Sequence, residues 1–289
     1  MLSIDPKSLS TSELHGYLLS TVAPRPIAFA STVNADGRAN VSPFSFFNVF
    51  SSNPPILVFS PSRRVKDNTV KHTLKNVMAT KEVVINVVSF DMVYQTSLSS
   101  TEYPEGVNEF EKAGFTMLKS DIVKPFRVAE SPIQMECKVN DIIELGTEGG
   151  AGSLIICEVV KFHIDEDVLD EDGSINQKKL DLVARAGGNY YTRAKKGFFE
   201  IPKPLAALGI GVDNFPEAIK NSMVLTGNDL GMLGNVENLP KEADVSAFIK
   251  DLSERYPNIK IATHRQKHKL ARNYLSFGDV ESAWKILLS

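Results

Sequence analysis

The sequence predicts a mainly β chain, an all-β barrel with helical insertions followed by a helical C-terminal extension. Three observations carry that expectation. Short apolar runs rich in β-branched residues recur between residues 24 and 164. Turn signals separate them at short intervals, and few helical repeats intervene, which argues against an alternating βαβ sheet. After Tyr191 the texture turns to helical periodicity, so residues 1–199 are expected to form the barrel domain and 200–289 the extension.

In chain order, Ser10-Thr11-Ser12 ahead of ELHGYLLS offers an N-cap for a short opening helix. PRPIAFASTV follows as a strand entered through two prolines that keep the chain extended. Asn34-Ala35-Asp36-Gly37 is a hairpin turn, with Gly37 suited to positive φ. The return strand reaches Pro43, which cannot donate to a ladder, so a strand that breaks off there is expected. Ser51 to Pro55 reads as a turn and Ile56 to Ser60 as a short buried strand. Leu74, Val77 and Met78 fall at i, i+3, i+4 and predict a helix over residues 71–80.

Further strands are expected at Glu82 to Val88, twice between Phe115 and Glu144, and from Ser153 to Ile164. A helix is expected near residues 91–98, and the acidic run from Asp165 to Gly173 reads as a solvated loop. Beyond Pro202 the best amphipathic candidates are PEAIKNSMVL, VSAFIKDLSERY and VESAWKILL.

The bulk numbers bound the function. A hydrophobic content of 43% with 23% charged residues is that of a globular protein, and 289 residues can bury a sizeable core. A net charge of −3 gives no general pull toward nucleic acid. Apolar runs such as PPILVFS and EVVINVVSF are too short for the about 20 residues that cross a bilayer, so no membrane partner is expected. The first residues lack the pattern of a secretory signal, and two cysteines, Cys137 and Cys157, are too few for a disulfide framework. A reducing, cytoplasmic setting with buried structural thiols is the corresponding expectation.

Familiar nucleotide and metal signatures fail. LGIGVDN carries Gly209 and Gly211 but Asn214 in place of a third glycine, and no strong strand precedes it. His264 and His268 stand at i, i+4, yet no HEXXH glutamate accompanies them, so HRQKHKLAR reads as a basic surface helix that could also meet a partner. No nucleophile and base pair is supported by spacing, and no catalytic residue is assigned.

What remains is the stretch from Arg38 to Thr73. Asn40, Ser42, Ser45 and Asn48 offer donors and acceptors for the polar edge of a heterocycle, and Pro43, Phe44, Phe46 and Phe47 offer apolar surface. Equally, on pattern alone, the polar residues could satisfy a broken strand and the phenylalanines could be core. Ser60, Arg63, Arg64, Lys66, Thr69, Lys71 and Thr73 converge on a predicted helix start, where free N–H groups and the helix dipole favour an anion.

The order PRPIAFAST, NVSPFSFFNVFSSNPP, an apolar strand followed by Arg63-Arg64, then KHTLKN and EVVINVV, resembles the flavin reductase-like, FMN-binding split-barrel proteins of the flavoredoxin type. ARAGGNYY (Ala184 to Tyr191) resembles the Gly-Gly segment with which that domain commonly ends. The resemblance covers roughly residues 15–195, with Lys71-His72-Thr73 where the family often has Lys-Asp-Thr. It implies an FMN-binding split barrel, a homodimer whose chains complete each other's sites, and NAD(P)H-dependent flavin reduction by hydride transfer to flavin N5. It further implies that Asn40, Ser42, Pro43, Phe44, Ser45 and Asn48 orient the isoalloxazine. Ser60, Arg64, Thr69, Lys71 and Thr73 would hold the phosphate. A non-catalytic flavin-binding electron carrier or sensor, with the C-terminal helices docking a partner, is the alternative.

Overall fold

The structure, a computed structural model, describes residues 1–201, 208–259 and 261–289, and divides into units Met1–Phe199 and Glu200–Ser289. The helical reading of residues 202–289 includes 202–207 and 260, which lie outside the described residues.

The first unit opens with α1 (Thr11–Thr21), started by a capping box: the Glu13 N–H donates to Ser10 Oγ, and the Ser10 N–H donates to the Glu13 carboxylate. β1 (Ala28–Val33) and β2 (Ala39–Phe44) form the expected hairpin, its turn closed by Gly37 at φ +80°. Then come β3 (Phe47–Ser52), β4 (Pro55–Phe59), α2 (His72–Thr80), β5 (Glu82–Val87), α3 (Val93–Leu98) and α4 (Glu109–Ala113). β6 (Met117–Leu118), β7 (Arg127–Val128), β8 (Ile133–Glu144), β9 (Ser153–Ile164), α5 (Gln177–Leu180), β10 (Val183–Arg185) and β11 (Tyr191–Arg193) complete it.

Seven strands form one antiparallel sheet in the order β2-β1-β5-β8-β9-β4-β3. Its two edges, β2 and β3, are consecutive in the chain, and only Ser45 and Phe46 connect them. So short a connection spans at most about 11 Å, so the sheet must curl until its edges nearly meet. The result is a barrel with a seam between β2 and β3.

Period-2 alternation sorts β1 between two cores. Ala28 and Ala30 face the barrel interior with Phe44, Phe59, Ile85 and Ile155, and Leu74 and Val77 of α2 pack into the same cluster. Phe29 faces the other way, toward Met92, Phe110, Phe115 and Val128. Burying a large apolar side chain stabilises by roughly 1.5–3 kcal/mol. Cys137 and Cys157 are fully buried in the interior cluster.

The strand at Pro43 departs from expectation. β2 runs through Pro43 and ends one residue later, because β2 is an edge and needs no outward donor there. Residues 115–144 hold three strands rather than two, since β6 and β7 are two-residue pairings too short to show a period. The acidic run is a loop with one 3-10 turn at Glu166–Val168 and an isolated bridge from Leu169 to Ile175.

The second unit contains α6 (Glu217–Lys220), α7 (Gly227–Gly234), α8 (Glu242–Arg255), α9 (His264–Ser276) and α10 (Val280–Leu287). Its core gathers on Trp284, whose ring meets Phe215 edge-on at 5.0 Å and whose Nε1 donates to the Leu233 carbonyl at 3.0 Å. PEAIKNSMVL is helical only over α6, because Ser222 Oγ accepts the Val224 and Leu225 N–H groups and bends the chain away. Among the described residues no helix is long and apolar enough to cross a membrane.

Candidate functional site

A cavity of about 670 Å³ opens at the barrel seam. Its floor is the end of β2 with the β2–β3 connection, Ser42 to Phe46, and Ser60 and Ser62 flank it just beyond β4. His15 and Leu19 of α1 cover one side, Thr96, Ser97 and Ser100 at and just past the end of α3 another, and Arg185, Asn189 and Tyr191 of the β10–β11 hairpin a third. Arg25, Lys71 and Arg185 bring positive charge to the wall, and among the described residues no aspartate or glutamate lines it. A hydroxyl-rich, cationic cavity of this size suits an anionic small molecule with an extended polar edge.

The residues singled out in sequence separate into layers. Ser42, Pro43, Phe44, Ser45, Ser60 and Lys71 line the cavity. Asn40 and Thr73 sit behind it, beside a recess of about 20 Å³. There Thr73 Oγ1 and Thr32 Oγ1 donate to Asn40 Oδ1 at 3.0 and 3.2 Å, while Asn40 Nδ2 donates to Glu109 at 2.9 Å. Arg64 occupies the adjoining recesses, and its Nη1 donates to Thr69 Oγ1 at 2.9 Å. Thr69 is exposed and holds Arg64 rather than lining the cavity. Asn48 lies on the exposed edge strand β3, where its side chain accepts its neighbour's N–H; it is not on the cavity wall. Of the aromatics, Phe44 packs on Phe59 at 5.5 Å between centroids, Phe46 lies edge-on to His15 at 6.2 Å, and Phe47 joins the core.

Two features show a wall incompletely satisfied by protein. Ser60 Oγ is buried and has no hydrogen-bond partner among the described residues. Arg64 and Lys71 both pair with the exposed carboxylate of Glu102, at 2.8 and 3.2 Å. Hydrogen bonds from Arg64 and then Lys71 lower the Glu102 pKa. An exposed ion pair is worth little, so an incoming dianion can displace Glu102 at small cost. Lys71 also stands at the N-cap of α2, whose first N–H groups lack a side-chain cap. Behind the wall, burial raises the Glu109 carboxyl, and burial lowers His72 despite the opposing charge of Glu105.

Sequence reasoning missed Arg25, Arg185, His15 and the α3 serines. Arg25 is 5% exposed and its guanidinium donates to the carbonyls of Leu19, Val22 and Ala186, tying the end of α1 to the β10–β11 hairpin. Burial, then the neighbouring charge of Arg185, lowers its pKa. Its setting between Pro24 and Pro26, in a strand entry otherwise apolar, is the signal that could have marked it. Gly187 belongs to the same junction, since a Cβ there would stand 2.4 Å from Ser20 Oγ.

Residues 20–193 match the family described as flavin reductase like domain. An uncharacterised protein of Aquifex aeolicus is 39% identical over 188 residues, covering 65% of this chain and 93% of that protein. Nitrilotriacetate monooxygenase component B from Bacillus cereus superposes with a TM-score of 0.65 at 30% identity, over 70% of this chain and 98% of that one. Pseudomonas fluorescens 2-nitrobenzoate 2-nitroreductase gives 0.61 at 26%, over 72% and 100%. Flavoredoxin of Desulfovibrio vulgaris (Miyazaki F), at 22% identity and 0.54 over 64% and 93%, shares the fold. The barrel with its seam is the split β-barrel of these proteins.

Proposed function

We propose that this chain, which belongs to the flavin reductase-like family, binds FMN in the seam cavity and uses a reduced nicotinamide nucleotide to reduce it. The observation that carries the reading is the carboxylate-free, cationic wall with a buried, partnerless hydroxyl, Ser60 Oγ. A phosphate supplies the acceptor that such a hydroxyl lacks, and Lys71 and Arg64 supply the countercharge. The donor set therefore fits the group. Ser60, Lys71 and Arg64 would take the phosphate, with Thr69 steadying Arg64. Ser42, Pro43, Phe44 and Ser45 would meet the ring, with Asn40 and Thr73 bracing them from behind.

FMN, when bound, supplies the electron-transfer chemistry, so the chain's work is to bind, orient and shield. α1 and the β10–β11 hairpin, joined by Arg25, wall the cavity against water. No side chain is required as acid or base. NADH or NADPH is the electron source in this reading, and a protein component is one acceptor in keeping with the monooxygenase component among the similar structures.

Assembly as a homodimer belongs to the same proposal. Edge strand β3 exposes Val49 and Phe50 at 63% and 68%, next to Phe46 on the cavity wall, an apolar edge that a second copy can cover.

The full chain, desalted and mixed with FMN, should show the bound-flavin absorption bands, and anaerobic NADH or NADPH should bleach them. Bands without bleaching by either nucleotide would leave a flavin-binding carrier and remove the reductase. Absence of binding would remove both.

A further inference from the structure

A second cavity, of about 580 Å³, lies wholly within the unit Glu200–Ser289. One wall is α9 from His264 to Arg272 and the other is the bend from Asn221 to Val224. α9 carries His264, Arg265, Lys267, His268, Lys269 and Arg272 and no acidic residue. Arg265, Lys269 and Arg272 recur at i, i+4, i+7 and so share one face with the cavity, and among the described residues no carboxylate lines it. Glu217, the nearest acid on α6, is engaged by Asn221 Nδ2 at 2.6 Å, and Asp229 shares Arg272 at 3.4 Å. Arg265 and Lys269 have no ion-pair partner among the described residues.

His268 makes this more than a charged helix face. It is 5% exposed, and its Nδ1 lies 2.7 Å from Ser222 Oγ. That oxygen already accepts the N–H groups of Val224 and Leu225, at 3.1 and 3.0 Å. Its lone pairs are thus used, and its proton must go to His268 Nδ1. The imidazole is thereby held as the Nε2–H tautomer, and Nε2–H has no protein acceptor among the described residues. Burial, and next the adjacent His264, lower the His268 pKa, in keeping with a neutral ring that donates from Nε2. Met223, fully exposed on the rim, adds a soft apolar surface suited to a flat ring.

We propose that this cavity is a second binding site, for a phosphorylated small molecule of nucleotide size, whose phosphates meet Arg265, Lys269 and His268 Nε2–H. The cavity is larger than a bare phosphate needs, and the exposed methionine gives the remainder of the molecule something to pack on. The site is independent of the flavin cavity, which lies in the other unit.

The test uses the full chain with one equivalent of FMN, so that the seam cavity is filled and no excess flavin, itself a phosphorylated molecule of this size, competes at the second site. Histidine ring resonances are followed by NMR while ADP, or separately inorganic pyrophosphate, is added at constant ionic strength. His264 and His268 should move together and saturably, with His15, His72 and His163 unmoved. ADP should bind more tightly than pyrophosphate. Arg265→Ala with Lys269→Ala should weaken ADP by about tenfold or more, as expected for lost charge-assisted contacts, at unchanged Tm, since both side chains are exposed. No saturable shift, or equal affinity in the double variant, would overturn the site. Equal affinity for pyrophosphate and ADP would overturn the nucleotide-sized ligand. A short oligonucleotide that outcompetes ADP would assign the face to a polymer and overturn the small-molecule reading.

Discussion

Ser60 is a buried hydroxyl with no hydrogen-bond partner among the described residues, and folded chains do not usually keep such a group without a use for it. Ser60→Ala should therefore leave the Tm of the flavin-free protein unchanged or slightly higher, while raising the Kd for FMN by about tenfold, a loss of roughly 1.4 kcal/mol. A drop in Tm with unchanged FMN binding would make Ser60 a packing residue instead. Gly152 belongs to the same argument, since a Cβ there would come 2.6 Å from Ser60 Oγ. Glu109 gives a pH signature. Burial raises its folded pKa above the ordinary value, so its contribution to stability is present below pH about 4.5 and is lost as pH rises through the raised value. Glu109→Gln keeps an acceptor for Asn40 and for the Val41 N–H, and removes the buried charge. The variant should be more stable than the parent at neutral pH, with the difference shrinking in acid. Thermal melts across pH 4–8 would show this, and a variant uniformly less stable would count against it.

Among the elements, β8 shows how a buried charge fixes a loop. Glu136 is fully buried and accepts the N–H groups of Asp121, Ile122 and Val123 at 2.7–3.0 Å, with the His163 ring at 2.7 Å. Burial alone would raise its pKa, but the Asp121 N–H, the His163 ring and the two further N–H groups bring it down to about 2. Its folded value is depressed, so its stabilisation is present above pH about 4.5 and is lost as pH falls toward 2. That amounts to about 3 kcal/mol by linkage. Glu136→Gln should lose most of this at pH 7 and flatten acid unfolding; an unchanged acid limb would contradict the clamp. With these acceptor roles filled, and Asp121 paired with Lys161, the Asp121, Glu136 and His163 cluster reads as structural. Elements with a clear local signal were legible in sequence: α1 from the N-cap at Ser10-Thr11-Ser12, the β1–β2 hairpin from Asn34 to Gly37, and α2 from Leu74, Val77 and Met78. β6 and β7 were not, because two-residue strands carry no pattern. Nor was the course of β2 through Pro43, because edge position is a property of the sheet and not of the strand.

At the scale of the whole molecule, the seam explains which part of the candidate site could be read in advance. The cavity floor is contiguous in sequence, Ser42 to Ser45 with Ser60 and Lys71 nearby, and local composition marked it. The other walls arrive from far along the chain: Arg25 reaches the Ala186 carbonyl across 161 positions, and Ser97 and Ser100 come from the end of α3 and the turn after it, a segment with no anion-binding signature. Such closures are set by strand order, which composition does not encode. The family match ends at residue 193, before the second unit begins. A chain ended after Phe199 is therefore expected to fold and to bind FMN as tightly as the full chain; a truncated chain that is soluble but cannot bind would show that the second unit contributes to the site. Phe50→Lys, on the exposed β3 edge, should convert the proposed dimer to monomer in sedimentation velocity, and a parent chain already monomeric would remove that part of the proposal.

The decisive comparison is the affinity of the full chain for FMN and for riboflavin, which differ only in the phosphate, in the parent and in Lys71→Ala. Loss of the Lys71 charge should weaken FMN by about tenfold or more and riboflavin by less than about twofold. Equal weakening of the two, or none, would show that the phosphate does not lie against Lys71 and that the seam cavity holds some other ligand.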